Sequence, residues 1–262
     1  MTNVKLGDKN IPFIYQGTEV LYPNPIKDGL VLWSDFKGLN NTSYEKQYVE
    51  NFADGSRNNN KLNNFDYSDS SGYNDGLQFD GVDDFVEYSS IGLDKFEGKD
   101  KFTFDFTISF TNSNKKGTVF MLPMSSYLDG SRRLLIKVTE NKEIAIGRYN
   151  GSWVGKKTVP IGKEKVNIVI TFEGFESMEG DDFTAKSYID EVPIEMISND
   201  IPTSDYYGYT NENLVIGYHG TDSQLEYSFL KGIIHSAKIY DRVLNEQEIQ
   251  HNYQLEKERW GL

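Results

Sequence analysis

Polar and apolar residues alternate most strictly between Lys101 and Phe110 (KFTFDFTISF), where Phe102, Phe104, Phe106, Ile108 and Phe110 fall on one side of an extended chain. This period of two predicts a strand with one face in a core. Further apolar runs follow at Val119 to Met124, Arg133 to Val138, Glu143 to Gly147, Val166 to Phe172, Phe183 to Ile189, Leu214 to Tyr218 and Phe229 to Tyr240. Asp129-Gly130 and Asn141-Lys142 separate some of them as turn signals. Strands recurring every ~8–12 residues predict a β-sandwich or barrel. Upstream, Leu30 to Phe36 (LVLWSDF) predicts the strand that opens the main domain, and the Asn-, Ser- and Gly-rich stretch from Lys37 to Gly76 predicts long polar loops. Tyr44, Tyr48, Phe52 and Phe65 would anchor those loops.

The string LQFDGVDDFVEY, Leu77 to Tyr88, surrounds Asp80-Gly81 with apolar and aromatic residues and reads as a β-hairpin. Residues 1–28 read as a separate arm. Ile11, Phe13, Ile14 and Tyr15 lead through Gln16-Gly17-Thr18 to Val20, Leu21 and Tyr22, which predicts a small hairpin, and Pro23 and Pro25 discourage further pairing. A two-stranded hairpin is marginal alone. It needs either the main domain or a partner chain to cover it. The chain closes with a helix over residues 245–260: Asn245 followed by Glu248 is a capping pattern, Ile249 and Tyr253 share a face, and Gly261 is a stop.

Composition narrows the class. Seventeen Tyr and 16 Phe in 262 residues suit pleated sheets. With 27 Lys and Arg against 40 Asp and Glu, the net charge of −13 argues against nucleic acid and anionic lipid as partners. There is no cysteine, so disulfides and thiolate metal sites are excluded. The opening MTNVKLGDKN lacks an apolar signal core, and no run approaches the ~20 apolar residues of a membrane span. We therefore expect a product made in the cytoplasm of the producing cell.

Four segments in order resemble the laminin-G-like, concanavalin-A-like superfamily: Gly29 to Phe36, Leu77 to Val86, Tyr188-Ile-Asp190, and Gly232 to Leu244 continuing through Glu248-Ile249 and Asn252-Tyr253. Glu191 stands where the family's Tyr-Val-Asp-Gly turn has glycine. The resemblance implies an all-β, two-sheet antiparallel jelly-roll sandwich over residues 29–262, with the N-terminal hairpin arm and the C-terminal helix attached. The strings Lys5 to Asn10 and Ile14 to Gly17 resemble the openings of tail and other virion proteins of bacteriophages that infect Gram-positive hosts. That implies localisation on a virion, other virion proteins as partners of the arm, and a homo-oligomer on the particle.

A retaining glycosidase on such a fold needs two facing carboxylates ~5–5.5 Å apart. No Glu-x-Asp-x-Glu pattern occurs, Glu173, Glu176 and Glu179 sit three apart, and Asp190 and Glu191 are adjacent. We expect no catalytic residues. His219, His235 and His251 lack metal-ligand spacing. Calcium is a candidate cofactor at Asp80, Asp83 and Asp84, or at Glu179, Asp181 and Asp182, but neither group completes a shell of 6–8 oxygens, and we expect turn-capping instead. For sugar binding the candidates are Tyr206, Tyr207 and Tyr209 in a loop between strands, with Trp153 in Asn150-Gly-Ser-Trp as a second exposed candidate. The sequence thus predicts a non-enzymatic virion protein whose lectin-like domain takes a host cell-wall glycan. A purely structural decoration protein and a carbohydrate-active enzyme are the alternatives.

Overall fold

The computed structural model describes residues 5–6, 9–17, 19–42, 48–56, 59–96, 99–110, 117–125, 132–138, 143–149, 153–157, 162–174, 184–198, 213–218 and 229–262. Strands run through Lys5–Leu6 (β1), Lys9–Asn10 (β2), Ile14–Gln16 (β3), Glu19–Tyr22 (β4), Leu30–Asp35 (β5), Asn60–Asn63 (β6), Gly72–Tyr73 (β7), Leu77–Asp80 (β8), Phe85–Gly92 (β9) and Lys101–Ser109 (β10). They continue with Gly117–Ser125 (β11), Arg132–Val138 (β12), Ile144–Tyr149 (β13), Trp153–Lys157 (β14), Lys165–Glu173 (β15), Thr184–Ile189 (β16), Val192–Ile194 (β17), Ile197–Ser198 (β18), Asn213–Ile216 (β19) and Lys231–Tyr240 (β20), before a helix, α1, at Glu246–Trp260.

Two antiparallel sheets face each other. The first has the order β17-β16-β15-β10-β20-β8-β7, with β5 also pairing β20; the second runs β18-β14-β13-β12-β11-β19-β9-β6. Along β20, residues 231–234 pair β8 and residues 236–240 pair β5, so two short strands share one long edge. The alternation in β10 sends Phe102, Phe104, Phe106 and Ile108 between the sheets, where they meet Phe120, Leu122, Leu134 and Ile136 of the second sheet in one buried cluster. Phe106 and Phe120 meet edge to face at 5.2 Å between centroids. The expected jelly-roll-type sandwich is thus observed.

The Leu77 to Tyr88 string is not a hairpin. β8 pairs β20 and β7 in the first sheet, whereas β9 pairs β19 and β6 in the second, so Asp80-Gly81 carries the chain across the sandwich. Gly81 has φ +82°, and a Cβ there would fall 2.8 Å from the Lys231 side chain, so the crossover excludes a side chain at that position. Apolar residues on both sides of a tight turn look alike whether the turn closes a hairpin or changes sheets.

The polar stretch before it is also more ordered than expected. It contains β6 and β7, and its asparagines are pins: Asn51 Oδ1 accepts from the Trp33 N–H at 2.8 Å, and Asn60 Nδ2 donates to the Val49 carbonyl at 3.1 Å. At the opposite edge of the first sheet, Asp190 and Glu191 both lie in the left-handed region, φ +50° and +64°, and turn β16 into β17. The glycine that the resemblance expects is absent, and the turn forms without it.

Helix α1 starts on a full capping box between Asn245 and Glu248 and ends at Gly261, φ +69°. It lies on the outer face of the first sheet, where Asn252 and Glu256 meet β10. The polar residues of β10 explain this position. Thr103, Asp105 and Thr107 are completely buried: Thr103 donates to the Arg242 carbonyl and accepts from the Leu244 N–H just before the helix, and helix side chains meet the other two. Asn252 Nδ2 donates to Asp105 at 2.9 Å, and the hydroxyl of Thr107 donates to Glu256 at 2.7 Å. Lys238 of β20 sits between the two acids, 2.6 Å from Glu256 and 3.6 Å from Asp105. Near the helix end, Arg259 binds both oxygens of Asp35 and also donates to the carbonyl of Pro12. The N-terminal segment therefore rests on the sandwich: Phe13 stacks on Phe52 at 5.0 Å, and Val20 and Tyr22 are buried.

Candidate functional site

The second sheet carries the expected Trp153, although not in a loop. It is the first residue of β14 and pairs with Tyr149 of β13, which pairs with Arg133 of β12. Directly opposite residues of an antiparallel pair occupy the same face, so these three register positions form one row across the sheet. The adjacent row on that face runs Gly155, Gly147, Leu135, Met121, Val215, Glu87 and Lys61. Leu135, Met121 and Val215 form a cluster with Tyr218 that is separate from the core between the sheets, which identifies the face as the outer one. Gly147 and Gly155 are in register on that face, and Gly147, Leu135, Met121 and Val215 are buried there; glycine inside strands marks places where another group approaches the backbone closely. Tyr206, Tyr207 and Tyr209 lie outside the described residues, as do His219, Glu176, Glu179, Asp181 and Asp182.

Asp80, Asp83 and Asp84 do come together, with a carboxylate oxygen from each within 4.8 Å of the others. Part of their bonding capacity is already used. Asp84 accepts from Ser71 Oγ at 3.0 Å and from the Asp80 N–H at 2.9 Å, while Asp80 Oδ1 accepts from the Val82 N–H. Burial pushes the Asp84 carboxyl up to about 7, with the like charges of Asp80 and Asp83 acting in the same direction against those hydrogen bonds. Three carboxylates supply only part of a calcium shell. The arrangement caps the crossover turn.

Of the other buried carboxylates, Asp190 accepts from the Asn167 N–H and pairs with Lys163, while Asp35, Asp105 and Glu256 hold the helix. Asp105 is raised by burial, with the like charge of Glu256 adding to it, while Lys238 opposes both; Glu256 is lowered because Lys238 and three hydrogen bonds outweigh its burial. Asp35 faces Arg259. A serine–histidine contact also exists, Ser109 Oγ to His235 Nε2 at 2.6 Å, but both residues are buried and the imidazole lies 4.8 Å from the Trp260 ring. Burial, with Lys165 adding to it, lowers His235 to about 4 and keeps it neutral at ordinary pH. A substrate has no access to this pair.

A cleft that sequence reasoning missed lies where the N-terminal segment meets the sandwich. Phe13, Tyr15, Tyr48, Glu50 and Phe52 line it, with Lys37 at its side. The apolar run at Ile11 to Tyr15 and the anchors Tyr48 and Phe52 were visible separately in the sequence; their meeting depends on a fold contact that no local pattern encodes.

No protein-family model matches the chain, and no curated protein sequence matches it. Among solved structures it is similar to Trypanosoma rangeli sialidase in complex with 2,3-difluorosialic acid, with a TM-score of 0.55 and 16% identity over 87% of this chain and 33% of that one. The same sialidase in complex with the inhibitor DANA gives a TM-score of 0.54 and 14% identity over 93% of this chain and 35% of the other. The Ruminococcus gnavus IT-sialidase CBM40 aligns less well, with a TM-score of 0.40. The chain spans about a third of the length of the sialidases it matches. At these identities the likeness concerns the fold alone, an antiparallel β-sandwich.

Proposed function

We propose that the protein is a non-catalytic, glycan-binding β-sandwich of a bacteriophage virion, which takes a cell-wall glycan of a Gram-positive host on the outer face of its second sheet. The observation that carries this reading is the register of Trp153, Tyr149 and Arg133 beside the glycine pair Gly147 and Gly155. Flat aromatic faces with polar edges suit a sugar ring. The loop with Tyr206, Tyr207 and Tyr209 extends the same proposal. The likeness of the fold to sialidase structures is compatible with it.

Catalysis is the weaker reading, because Asp35, Asp105 and Glu256 are buried and bound to cations. The N-terminal arm, with Leu6, Tyr15 and Leu21 exposed, would bind other virion proteins or a second copy of the chain. Purified protein should bind host wall polysaccharide, with or without calcium. Trp153→Ala should weaken that binding about three- to tenfold, the worth of one aromatic contact, with an unchanged unfolding midpoint. Full affinity in the variant would remove this face from consideration, and no binding by the unaltered protein would leave a purely structural decoration protein.

A further inference from the structure

Asp105 of β10 and Lys238 of β20 are directly opposite residues of neighbouring antiparallel strands, and their side chains meet in the interior with the Lys238 Nζ 3.6 Å from a carboxyl oxygen of Asp105. Glu256 of α1, equally buried, lies 2.6 Å from the same Nζ. We infer that these three residues form a self-modification site, at which Lys238 and Asp105 condense into an amide that ties β10 covalently to β20, with Glu256 carrying the proton.

Placement favours the reaction. Opposite residues share a face of the sheet, and the flexible four-carbon stem of lysine lets Nζ move from beside the oxygen to within ~3–3.5 Å of Asp105 Cγ, the range of near-attack geometry. Asn167 Nδ2 donates to one Asp105 oxygen at 2.8 Å and Asn252 Nδ2 to the other at 2.9 Å, so a donor already faces the oxygen that gains negative charge when Cγ becomes tetrahedral. Glu256 is fixed through its second oxygen, which accepts from Thr107 at 2.7 Å and from Ser236 at 2.5 Å. This leaves Oε1 for Lys238.

Protonation favours it too. An ion pair needs one acid for each base. Here two acids share Lys238, because Arg259 is taken by Asp35, and one of the two must keep its proton to avoid an uncompensated buried charge. That one is Asp105: burial holds it above the usual carboxylate range, whereas Lys238 and the hydrogen bonds outweigh burial at Glu256 and hold it below. A protonated carboxyl is the form whose hydroxyl can leave as water. Burial works to lower the Lys238 ammonium, but Asp105 and Glu256 outweigh it, so the amine has to be freed by a base in contact with it.

Glu256 is that base. It takes the first proton from Nζ, the freed electron pair forms the bond to Cγ, and the Asp105 hydroxyl departs as water with the proton that Glu256 returns. The second Nζ proton then passes to Glu256. The products are one amide, one water and a neutral Glu256, and the loss of the buried charges drives the condensation in a site shielded from solvent.

The mass of the full-length protein, measured in denaturant, should be lower than that of its sequence by one water. A tryptic digest should contain a branched peptide that joins the segment after Lys101 to the segment after Lys231 and is uncut at Lys238. Lys238→Arg and Glu256→Gln should each restore the full mass, and the mass of the unaltered protein decides the matter even where a variant does not fold. A full-sequence mass for the unaltered protein overturns the proposal and leaves a buried ion pair, as does a lost water that maps elsewhere, for example to a succinimide at an Asp-Gly pair. A Glu256→Gln protein that is linked as completely as the unaltered one overturns the role given to Glu256.

Discussion

Single residues set several local outcomes, and Asp84 is the clearest. Its carboxyl is completely buried at the crossover and is pushed up to about 7, against an ordinary value of 3.8. Between these values the folded state holds a proton that the unfolded chain has released. Stability should therefore fall as pH rises from about 4 to 7, because there the unfolded state binds fewer protons. Asp84→Asn should flatten that slope in a plot of unfolding midpoint against pH, whatever it does to absolute stability; an unchanged slope would mean that another group governs it. The sequence showed that Asp80, Asp83 and Asp84 belong together, because they are neighbours in a turn. It could not show that only Asp84 is buried, since that depends on Ser71 and on which sheet each flanking strand joins. Trp153 illustrates the same limit: its type was legible, but its alignment with Tyr149 and Arg133 arises from pairing across three strands.

At the scale of elements, strong periodicity was legible and pairing was not. The alternation in β10 and the capping pattern of α1 both rest on interactions a few residues apart, and both appear at the expected places. The β8 to β9 string misled because its turn chemistry serves a sheet change as well as a hairpin. The position of α1 was hidden for another reason: Asp105 and Thr107 look like solvent-facing residues of an alternating strand until a helix supplies Asn252 and Glu256 to meet them. The helix is nevertheless held by apolar contact too. Ile249 is 1% exposed and packs with Val169, Tyr188, Tyr240 and Leu244. Ile249→Ala should lower stability by about 2–5 kcal/mol, the usual large-to-small core cost, measured by denaturant unfolding. An unchanged midpoint would show that the helix does not depend on this cluster.

For the whole molecule, the open issue is how the N-terminal arm relates to the sandwich. Residues 24–28 belong closely to the helix side, where the Ile26 N–H donates to Asn252, the Asn24 carbonyl meets His251, and Arg242 contacts Asp28. Residues 12–22 add Phe13 against Phe52 and the buried Val20 and Tyr22, at about 1.5–3 kcal/mol for each large apolar side chain when fully buried. The main core and the network under α1 lie almost entirely within residues 29–262. Removing residues 1–22 should therefore leave a sandwich that unfolds cooperatively at a lower midpoint, with Arg259 still paired to Asp35. On the virion reading, the same truncation should prevent incorporation into the particle, because it removes the exposed Leu6, Tyr15 and Leu21 that a partner would cover. Circular dichroism and quantification of the protein in purified particles separate the two effects. A truncated chain that folds and still incorporates at the normal level would show that the arm only extends the sandwich and that its exposed apolar residues recruit nothing.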